Sequence, residues 1–327
     1  MPPGESPSNL FGGPRQDPSA SELLSQIRHH VELADHPSRL MFYTIDTEKG
    51  SVVAKKLDEE ADREGLTYGA TYNSLERSLE VNMFKGAIHH LHTSWLSRQL
   101  IQMATHSEFA TPEELRLLGM GNGPRRGYYP PPCFHTYPKT AFTGFSHPYT
   151  SSVRAPDQYI MQRDKEMPNI VFESRLGRAD ESIRRRDVNL WLKGGSGIVQ
   201  LVILFVWFPR PSSIIDANIE ADGLYPPLYC VIDAEIEVYG LDKDGDVALL
   251  QKETLYPYPR KPVPVDSKIP AWVLNRRTGQ VIRVTRGQLF GSSLPAGRNP
   301  DDVFGFSLDD IRDTTWGPLT FEGWTVS

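Results

Sequence analysis

The stretch that decides the fold runs from Ser152 to Pro209 and reads SVRAPDQYIMQRDKEMPNIVFESRLGRADESIRRRDVNLWLKGGSGIVQLVILFVWFP. Two acids fall at predicted strand ends within it. Asp157 follows Pro156, and Glu173 follows the apolar run at 169–172. An acid on each of two neighbouring strands can hold a hard divalent cation over a sheet edge, because such ions prefer oxygen ligands. The sequence therefore raises a metal site as a hypothesis.

Four elements are predicted along this stretch. Residues 153–161 are predicted as a strand, and residues 170–172 as a short buried strand that ends at Glu173. Residues 180–192 have helical spacing, and the glycines after them end the helix. Residues 199–206 are almost all β-branched or Leu, which is typical of a central strand covered on both faces.

The composition limits the classes of function. The chain has 327 residues, of which 39% are hydrophobic, enough to build a core. Its formal net charge is −6, which argues against a protein that coats nucleic acid without specificity, because such proteins are usually basic. Any contact with nucleic acid must then come from a local patch.

The cysteine content and the hydropathy pattern indicate the compartment. Cys133 and Cys230 are the two cysteines, and so few favour free thiols in a reducing compartment. The first 22 residues lack the basic and apolar segments of a secretory signal. The longest apolar run, residues 199–208, is about half of the roughly 20 residues that a membrane-spanning helix needs. We expect a soluble intracellular protein, cytoplasmic or nuclear, that makes no membrane contact.

The first part of the chain is predicted as a tail, a helix and a hairpin. Residues 1–20 are rich in Pro, Ser and Gly and are predicted to be disordered. Residues 21–33 have helical spacing, with Ser19 or Ser21 as the cap. Two strand-like runs between 40 and 57 predict a hairpin. From residue 21 to residue 327 we expect a single domain.

Residues 73–102 carry apolar side chains at steps of three and four, which predicts a long amphipathic helix. Two interpretations of Glu76 and Glu80 stay open. In the first, Asn73 and Glu76 form a capping box and Glu80 is solvated. In the second, one of the two glutamates turns toward an active site. The histidines in this segment, His89, His90 and His92, are not four residues apart, so they do not favour a zinc site.

Residues 111–150 are predicted as a short helix, 112–118, followed by a long irregular segment rich in Gly, Pro and aromatic residues. Such a segment is typical of a lid. Alternatively, Arg125 and Arg126, with Tyr128 and Tyr129, form a contact for a nucleic-acid strand.

The last third of the chain is predicted to be rich in strands. Residues 228–255 are predicted as a hairpin that turns at Asp244-Gly245. Strands are also predicted at 272–274 and 281–285. The segment from residue 303 onward is predicted as a strand that leads into a short helix.

Four motifs in the central stretch carry a resemblance to a known family. They are Ser152–Asp157, Pro168–Glu173, Asp187–Leu192 and Gly197–Leu204. In their order and spacing the chain resembles the PD-(D/E)XK nuclease-like superfamily, and specifically a large fungal group similar to the Uma2-type restriction-endonuclease-like proteins. The resemblance covers roughly residues 150–260.

The resemblance implies an α/β (α+β) fold with a restriction-endonuclease-like core, a mixed central sheet flanked by helices, and an added C-terminal β-hairpin region. The core would span about residues 73–260, and a strand-rich extension about 261–327.

The resemblance also implies a reaction and its residues. Asp157 and Glu173 would bind Mg²⁺ or Mn²⁺, which activates a water against a phosphodiester. Arg175 and Arg154 would stabilise the developing charge, and Glu76 or Glu80 would supply a third acid. The substrate would be nucleic acid, DNA rather than RNA.

The sequence departs from the family pattern at two basic positions. Arg175 occupies the position at which the family has a lysine beside its second acid. Arg154 replaces the lysine of the first motif. Arginine stays protonated, so it stabilises charge but does not serve as a base.

Three functions therefore stay open. The first is a metal-dependent endonuclease. The second is an inactive nuclease-fold protein that binds nucleic acid through Arg125-Arg126 or Arg184–Arg186, or that binds a protein partner. The third is a scaffold with no nucleic-acid role. In a purely structural alternative, Asp157 starts a turn and Glu173 pairs with Arg175 or Arg184 at a strand end.

Overall fold

The computed structural model describes residues 18–33, 39–64, 68–82, 91–105, 109–122, 135–137, 141–176, 181–211, 230–257, 279–321 and 324–326. The helices are α1 Ala20–Leu33, α2 Thr47–Glu64, α3 Leu91–Thr105, α4 Pro112–Leu115, α5 Glu181–Gly194, α6 Arg286–Phe290 and α7 Leu308–Phe321. The strands are β1 Arg39–Phe42, β2 Gly69–Asn73, β3 Ser78–Asn82, β4 Leu118–Asn122, β5 His135–Tyr137, β6 Gln158–Gln162, β7 Ile170–Leu176, β8 Leu201–Pro211, β9 Cys230–Leu241, β10 Val247–Tyr256, β11 Val281–Thr285, β12 Val303–Ser307 and β13 Trp324–Val326.

The centre of the fold is an eight-stranded mixed sheet flanked by helices. Its strand order is β10-β9-β8-β7-β6-β4-β5, and β13 pairs with β9. Strands β7 and β8 are parallel and are joined through α5, whereas β6 and β9 run antiparallel to their neighbours β7 and β8. A parallel pair needs a crossover of this kind, because the chain must return to the same end of the sheet. The predicted α+β class with a mixed central sheet is confirmed.

The predicted elements of the central stretch are found close to their expected places. The helix expected at 180–192 is α5, and the strand expected at 199–206 is β8. The two faces of β8 enter different cores: Leu201 and Ile203 pack toward α3, and Val202 packs toward α5. The strand expected at 153–161 begins at Gln158, and β7 extends past Glu173 to Leu176. Glu173 therefore lies within its strand rather than at the strand's end.

Residues 18–33, 39–64 and 68–82 form what we call the N-terminal layer. In it, α1 and α2 pack on a three-stranded sheet of order β1-β3-β2. Helix α1 matches the prediction for residues 21–33, and Ser19 caps it: its Oγ accepts from the Glu22 N–H at 3.2 Å. Of the predicted tail, residues 1–17 lie outside the described residues.

The predicted hairpin at 40–57 is wrong, because most of its second half is helix α2. Asp46 begins this helix, since its Oδ1 accepts from the backbone N–H groups of residues 48 and 49. The residues that suggested a strand, Val53 and Ala54, instead face the core of the layer with Leu57. Gly50 permits this packing, because a Cβ there would lie only 2.1 Å from the Tyr72 ring.

The predicted helix at 73–102 is wrong in its first half, where the chain forms the β2–β3 hairpin. Asn73 closes the turn instead of capping a helix: its Oδ1 accepts from the N–H groups of Leu75 and Glu76 at 3.1 and 3.3 Å. Arg77 has a left-handed φ of 51°, which a continuing helix does not accommodate. Leu75 is 51% exposed, so it does not belong to an apolar face. Residues 83–90, with His89 and His90, lie outside the described residues.

The segment from 111 to 150 is less irregular than predicted. After the short helix α4, residues 118–122 form β4, which pairs with β6 in the central sheet. Gly119 and Gly121 alternate with Leu118 and Met120, and glycines of this kind obscure a strand pattern in the sequence. Residues 123–134, with Arg125, Arg126, Tyr128 and Tyr129, lie outside the described residues.

The predictions for the last third hold where the structure describes it. Strands β9 and β10 form the expected hairpin, with Gly245 at φ 79° in its turn. Strand β11 matches 281–285, and β12 leads into α7. The predicted strand at 272–274 lies outside the described residues. Within the described ranges, no helix combines the length and the hydrophobicity that crossing a bilayer requires.

Candidate functional site

A group of buried charged side chains lies where the N-terminal layer, strand β7 and helix α5 meet. Each of them is at most 9% exposed. We call it the charged cluster, and its members are Glu80, Arg154, Asp157, Glu173, Arg175, Arg186 and Asp187. With four carboxylates and three guanidinium groups, these seven residues have a formal net charge of −1. Burial of so many charges is costly unless they pair with one another.

Strand and helix periodicity place the central members of the cluster. In β7, side chains alternate between faces, so Val171, Glu173 and Arg175 point toward α5, while Phe172 points into the opposite core. On α5, residues four apart share a face. Asp187 and Trp191 are such a pair, and the Trp191 Nε1–H donates to Glu173 Oε1 at 3.0 Å.

Arg154 is the cation that contacts Glu173. Its side chain is 2% exposed, and its backbone forms an isolated bridge with Phe142. Its Nε donates to Glu173 Oε1 at 2.8 Å, and its Nη1 donates to Asp187 Oδ1 at 2.9 Å. Burial alone would lower the pKa of Arg154, but the carboxylates of Asp187 and Glu173 more than offset burial and raise that pKa. Arg154 is therefore a fixed positive charge between two acids.

Arg175 is similarly engaged. Its Nη1 donates to Glu80 Oε1 at 2.8 Å, and its Nη2 donates to Asp187 Oδ2. Burial would lower the pKa of this guanidinium, but Asp187, Glu80 and Glu173 raise it well above its ordinary value. Arg175 stays charged and, like Arg154, does not serve as a base.

Asp157 lies next to the Glu173 backbone. Its Oδ2 accepts from the Ser174 N–H at 2.7 Å. The structure brings all four residues predicted from the sequence, Arg154, Asp157, Glu173 and Arg175, to the wall of one pocket. The pocket encloses about 10 Å³, which is room for about one water molecule.

Of the two glutamates considered as a third acid, Glu80 belongs to the cluster and Glu76 lies at its rim. Glu80 is 2% exposed on β3, and it pairs with Arg186 at 2.9 Å as well as with Arg175. Glu76 lies 3.5 Å from Arg186, and its side chain is 42% exposed. Burial raises the pKa of Glu76, and the attraction of Arg186 opposes this rise.

Contacts of Arg186, Asp187 and Trp191 with the cluster around the acid pair were not predicted from the sequence: Arg186 was considered only in a basic run, and Asp187 and Trp191 only in a motif. The spacing of Asp187 and Trp191 on a predicted helix was the available signal, because it places both side chains over the strand that carries Glu173. The structural alternative predicted Arg175 or Arg184 as the partner of Glu173, and this is wrong. Glu173 pairs with Arg154, whereas Arg175 pairs with Glu80 and Asp187 and Arg184 reaches Glu237 at 3.4 Å.

The donor set does not fit a hard divalent cation in this arrangement. Such an ion takes about six oxygen ligands, but Glu173 Oε1 already accepts two N–H groups and Asp157 Oδ2 accepts a third. In the described ranges, no three His, Cys, Asp or Glu side chains are grouped so that they could hold a metal ion. His92 stacks on Phe205 in the opposite core, with ring centroids 5.3 Å apart.

Comparisons with known proteins assign no family to the chain. No protein-family model matches the chain, and no curated protein matches it.

Proposed function

We propose that this chain has a restriction-endonuclease-like fold in which the acid pair is kept as part of an internal ion-pair network, and that it acts by binding a protein partner rather than by cutting nucleic acid. The order of elements supports the proposed fold. Strand β6 follows Pro156-Asp157, β7 carries Glu173, and α5 leads to the buried parallel strand β8. The family resemblance rests on the same order.

The observation that carries the proposal is the position of Arg154. Its guanidinium contacts one of the two predicted metal ligands, Glu173, and also contacts Asp187. A metal ion at Glu173 would have to share this carboxylate with a permanent positive charge. Two cations close together repel strongly in a buried site, where the effective dielectric constant is low.

Access to the acids also favours a role other than catalysis. Arg154, Asp157, Glu173 and Arg175 are each at most 7% exposed. An attacking water and a phosphodiester must reach reacting distance, about 3 Å, before catalysis begins. In this arrangement the pocket between these side chains has room for about one water molecule.

Among the described residues, the basic run on α5 gives no support for a nucleic-acid contact. Of the basic run on α5, Arg184 pairs with Glu237, and Arg186 pairs with Glu80. Arg185 is exposed, and one exposed arginine does not make a phosphate-binding stripe. The net charge of −6 points the same way. An intracellular setting, cytoplasmic or nuclear, is part of this proposal and rests on the low cysteine content.

The test combines a metal titration with a cleavage assay. Mn²⁺ is titrated into the protein by calorimetry, and plasmid and single-stranded DNA are incubated with Mg²⁺ or Mn²⁺. We expect no saturable binding of Mn²⁺ and no cleavage. Asp157→Ala and Glu173→Ala are assayed beside Asp246→Ala, which removes an acid that is 72% exposed and lies outside the cluster.

The competing candidate is the metal-dependent nuclease, favoured by the presence of Asp157 and Glu173 in one pocket. Metal-dependent cleavage that disappears in both Asp157→Ala and Glu173→Ala but persists in Asp246→Ala would establish it and overturn our proposal. Salt-dependent binding of DNA without cleavage would replace the protein partner with nucleic acid.

A further inference from the structure

The N-terminal layer has a hydrophobic core of its own. Buried side chains of α1, α2, β2 and β3 form one cluster, which includes Leu23, Leu57, Leu79 and Val81. Val153 is the buried member of this cluster that the rest of the chain contributes. A unit with its own core can move without dismantling the core of its neighbour.

Among the described residues, backbone hydrogen bonds and ion pairs attach the layer to the central sheet and to α5. Tyr72 exchanges two backbone hydrogen bonds with Val153, at 2.9 and 3.0 Å. Beside this bridge, the Ser74 N–H donates to Ser152 Oγ at 2.9 Å. A third attachment is the pairing of Glu80 with Arg175 and Arg186, and Glu76 in the β2–β3 turn also lies 3.5 Å from Arg186.

Glu80 divides its two oxygens between two elements of the central domain. Oε1 accepts from Arg175 on β7, and Oε2 accepts from Arg186 on α5. Asn82 on the same strand donates to Oε1 at 2.8 Å, which holds the carboxylate in place. Charge-assisted hydrogen bonds of this kind are about twice as strong as neutral ones. The Glu80 side chain therefore links β3 to both β7 and α5.

The pocket of the acid pair lies at this junction. Part of its lining comes from β2 and β3, with Gly69, Thr71 and Asn82. The rest of the lining includes Asp157 and Glu173. The N-terminal layer thus covers the acid pair, and the pocket would open if the layer moved away.

We propose that the N-terminal layer is a cover that opens as a unit, and that Glu80 is the latch that keeps it closed. Opening uncovers Asp157, Glu173 and the two arginines that Glu80 occupies, while the central sheet stays folded. This inference goes beyond the proposed function and holds whether or not the acid pair binds a metal.

The variant Glu80→Gln tests the latch. The amide keeps the size of the side chain, but its NH₂ group faces one of the two arginines. Both groups can only donate hydrogen bonds, so that pairing is lost. We expect hydrogen exchange, followed by mass spectrometry, to accelerate on the order of 100-fold at Tyr72, Ser74 and Val153, whose N–H groups bridge the junction. Peptides from β3, β8 and β9 stay paired within their own sheets and should exchange as they do in the parent.

The matched control is Glu60→Gln, which removes a carboxylate that pairs with Arg28 inside the same layer. It should leave exchange at Tyr72 and Val153 unchanged. Ser152→Ala weakens a second attachment without altering charge, and it should give the pattern of Glu80→Gln with a smaller amplitude. Equal acceleration in β8 and β9, or no acceleration in either variant, would overturn the proposal.

Discussion

Replacement of Arg154 by methionine should destabilise the protein strongly. The side chain is 2% exposed and donates to two carboxylates, Glu173 and Asp187. Methionine keeps most of the stem but removes the charge and both hydrogen bonds. The six charged residues that remain in the cluster would then have a formal net charge of −2, with two acids short of a donor.

The magnitude follows from two independent estimates. Removal of one partner from a buried ion pair costs about 3–5 kcal/mol, and two hydrogen bonds to charged groups at about 1.5–3 kcal/mol each give a similar range. Native proteins have about 5–15 kcal/mol of stability in total. Since the entropy of unfolding is about 2.1 cal/mol/K per residue, 3–5 kcal/mol lowers the Tm by roughly 4–7 °C in a chain of this length.

Urea denaturation followed by tryptophan fluorescence measures the free energy of unfolding of the parent and of Arg154→Met. Millimolar Mn²⁺ adds a second comparison: it should raise the Tm of the variant, where a cation is missing, and leave the parent unchanged. A loss below about 1 kcal/mol in Arg154→Met would refute the view that Arg154 neutralises the acids. Stabilisation of the parent by Mn²⁺ would refute it as well.

Three further changes test other parts of the site and the fold. Trp191→Phe removes the indole N–H from Glu173 and should cost about 2 kcal/mol in urea denaturation; a loss below about 0.5 kcal/mol would contradict this. Because burial raises the pKa of Glu76 above 4.5, its contribution to stability falls as pH rises through the raised pKa, so Glu76→Gln should flatten the stability curve just above pH 4.5; an unchanged slope would contradict the shift. For Glu114, burial raises the pKa, but the stronger combined effect of Arg298 and the Thr111 N–H lowers it, so Glu114→Gln should cost about 1 kcal/mol at pH 7 and less in acid, where the parent also loses this carboxylate. An equal cost at all pH values would exclude this explanation.

Local pattern was enough to predict the centre of the fold. The helix α5 and the strand β8 are long, strongly periodic segments, and their positions depend little on the rest of the chain. The choice of Asp157 and Glu173 rested on local motifs and on the family resemblance that those motifs carry, and the structure places both in one pocket.

The partners of these acids could not be predicted, because tertiary contacts decide them. Glu173 pairs with Arg154, nineteen positions earlier in the sequence, through strand pairing and an isolated bridge that no local pattern specifies. The place of Glu80 was harder still to predict, because the apolar residues from 73 to 102 have helical spacing although the first part of this segment belongs to a hairpin. The turn chemistry of Asn73 and the left-handed Arg77 overrode that spacing.

The position of Glu80 in the sequence also sets the order in which the junction assembles during translation. Glu80 is made before its partners, and Arg186 follows 106 positions later. At about 5–20 residues per second, translation needs roughly 5–20 s to bridge that interval. For those seconds a nascent N-terminal layer exposes Glu80 without Arg186, and for most of them without Arg175 as well. The last step in building the junction is therefore the arrival of α5, and a translational pause before residue 181 would lengthen the interval in which the layer stands alone.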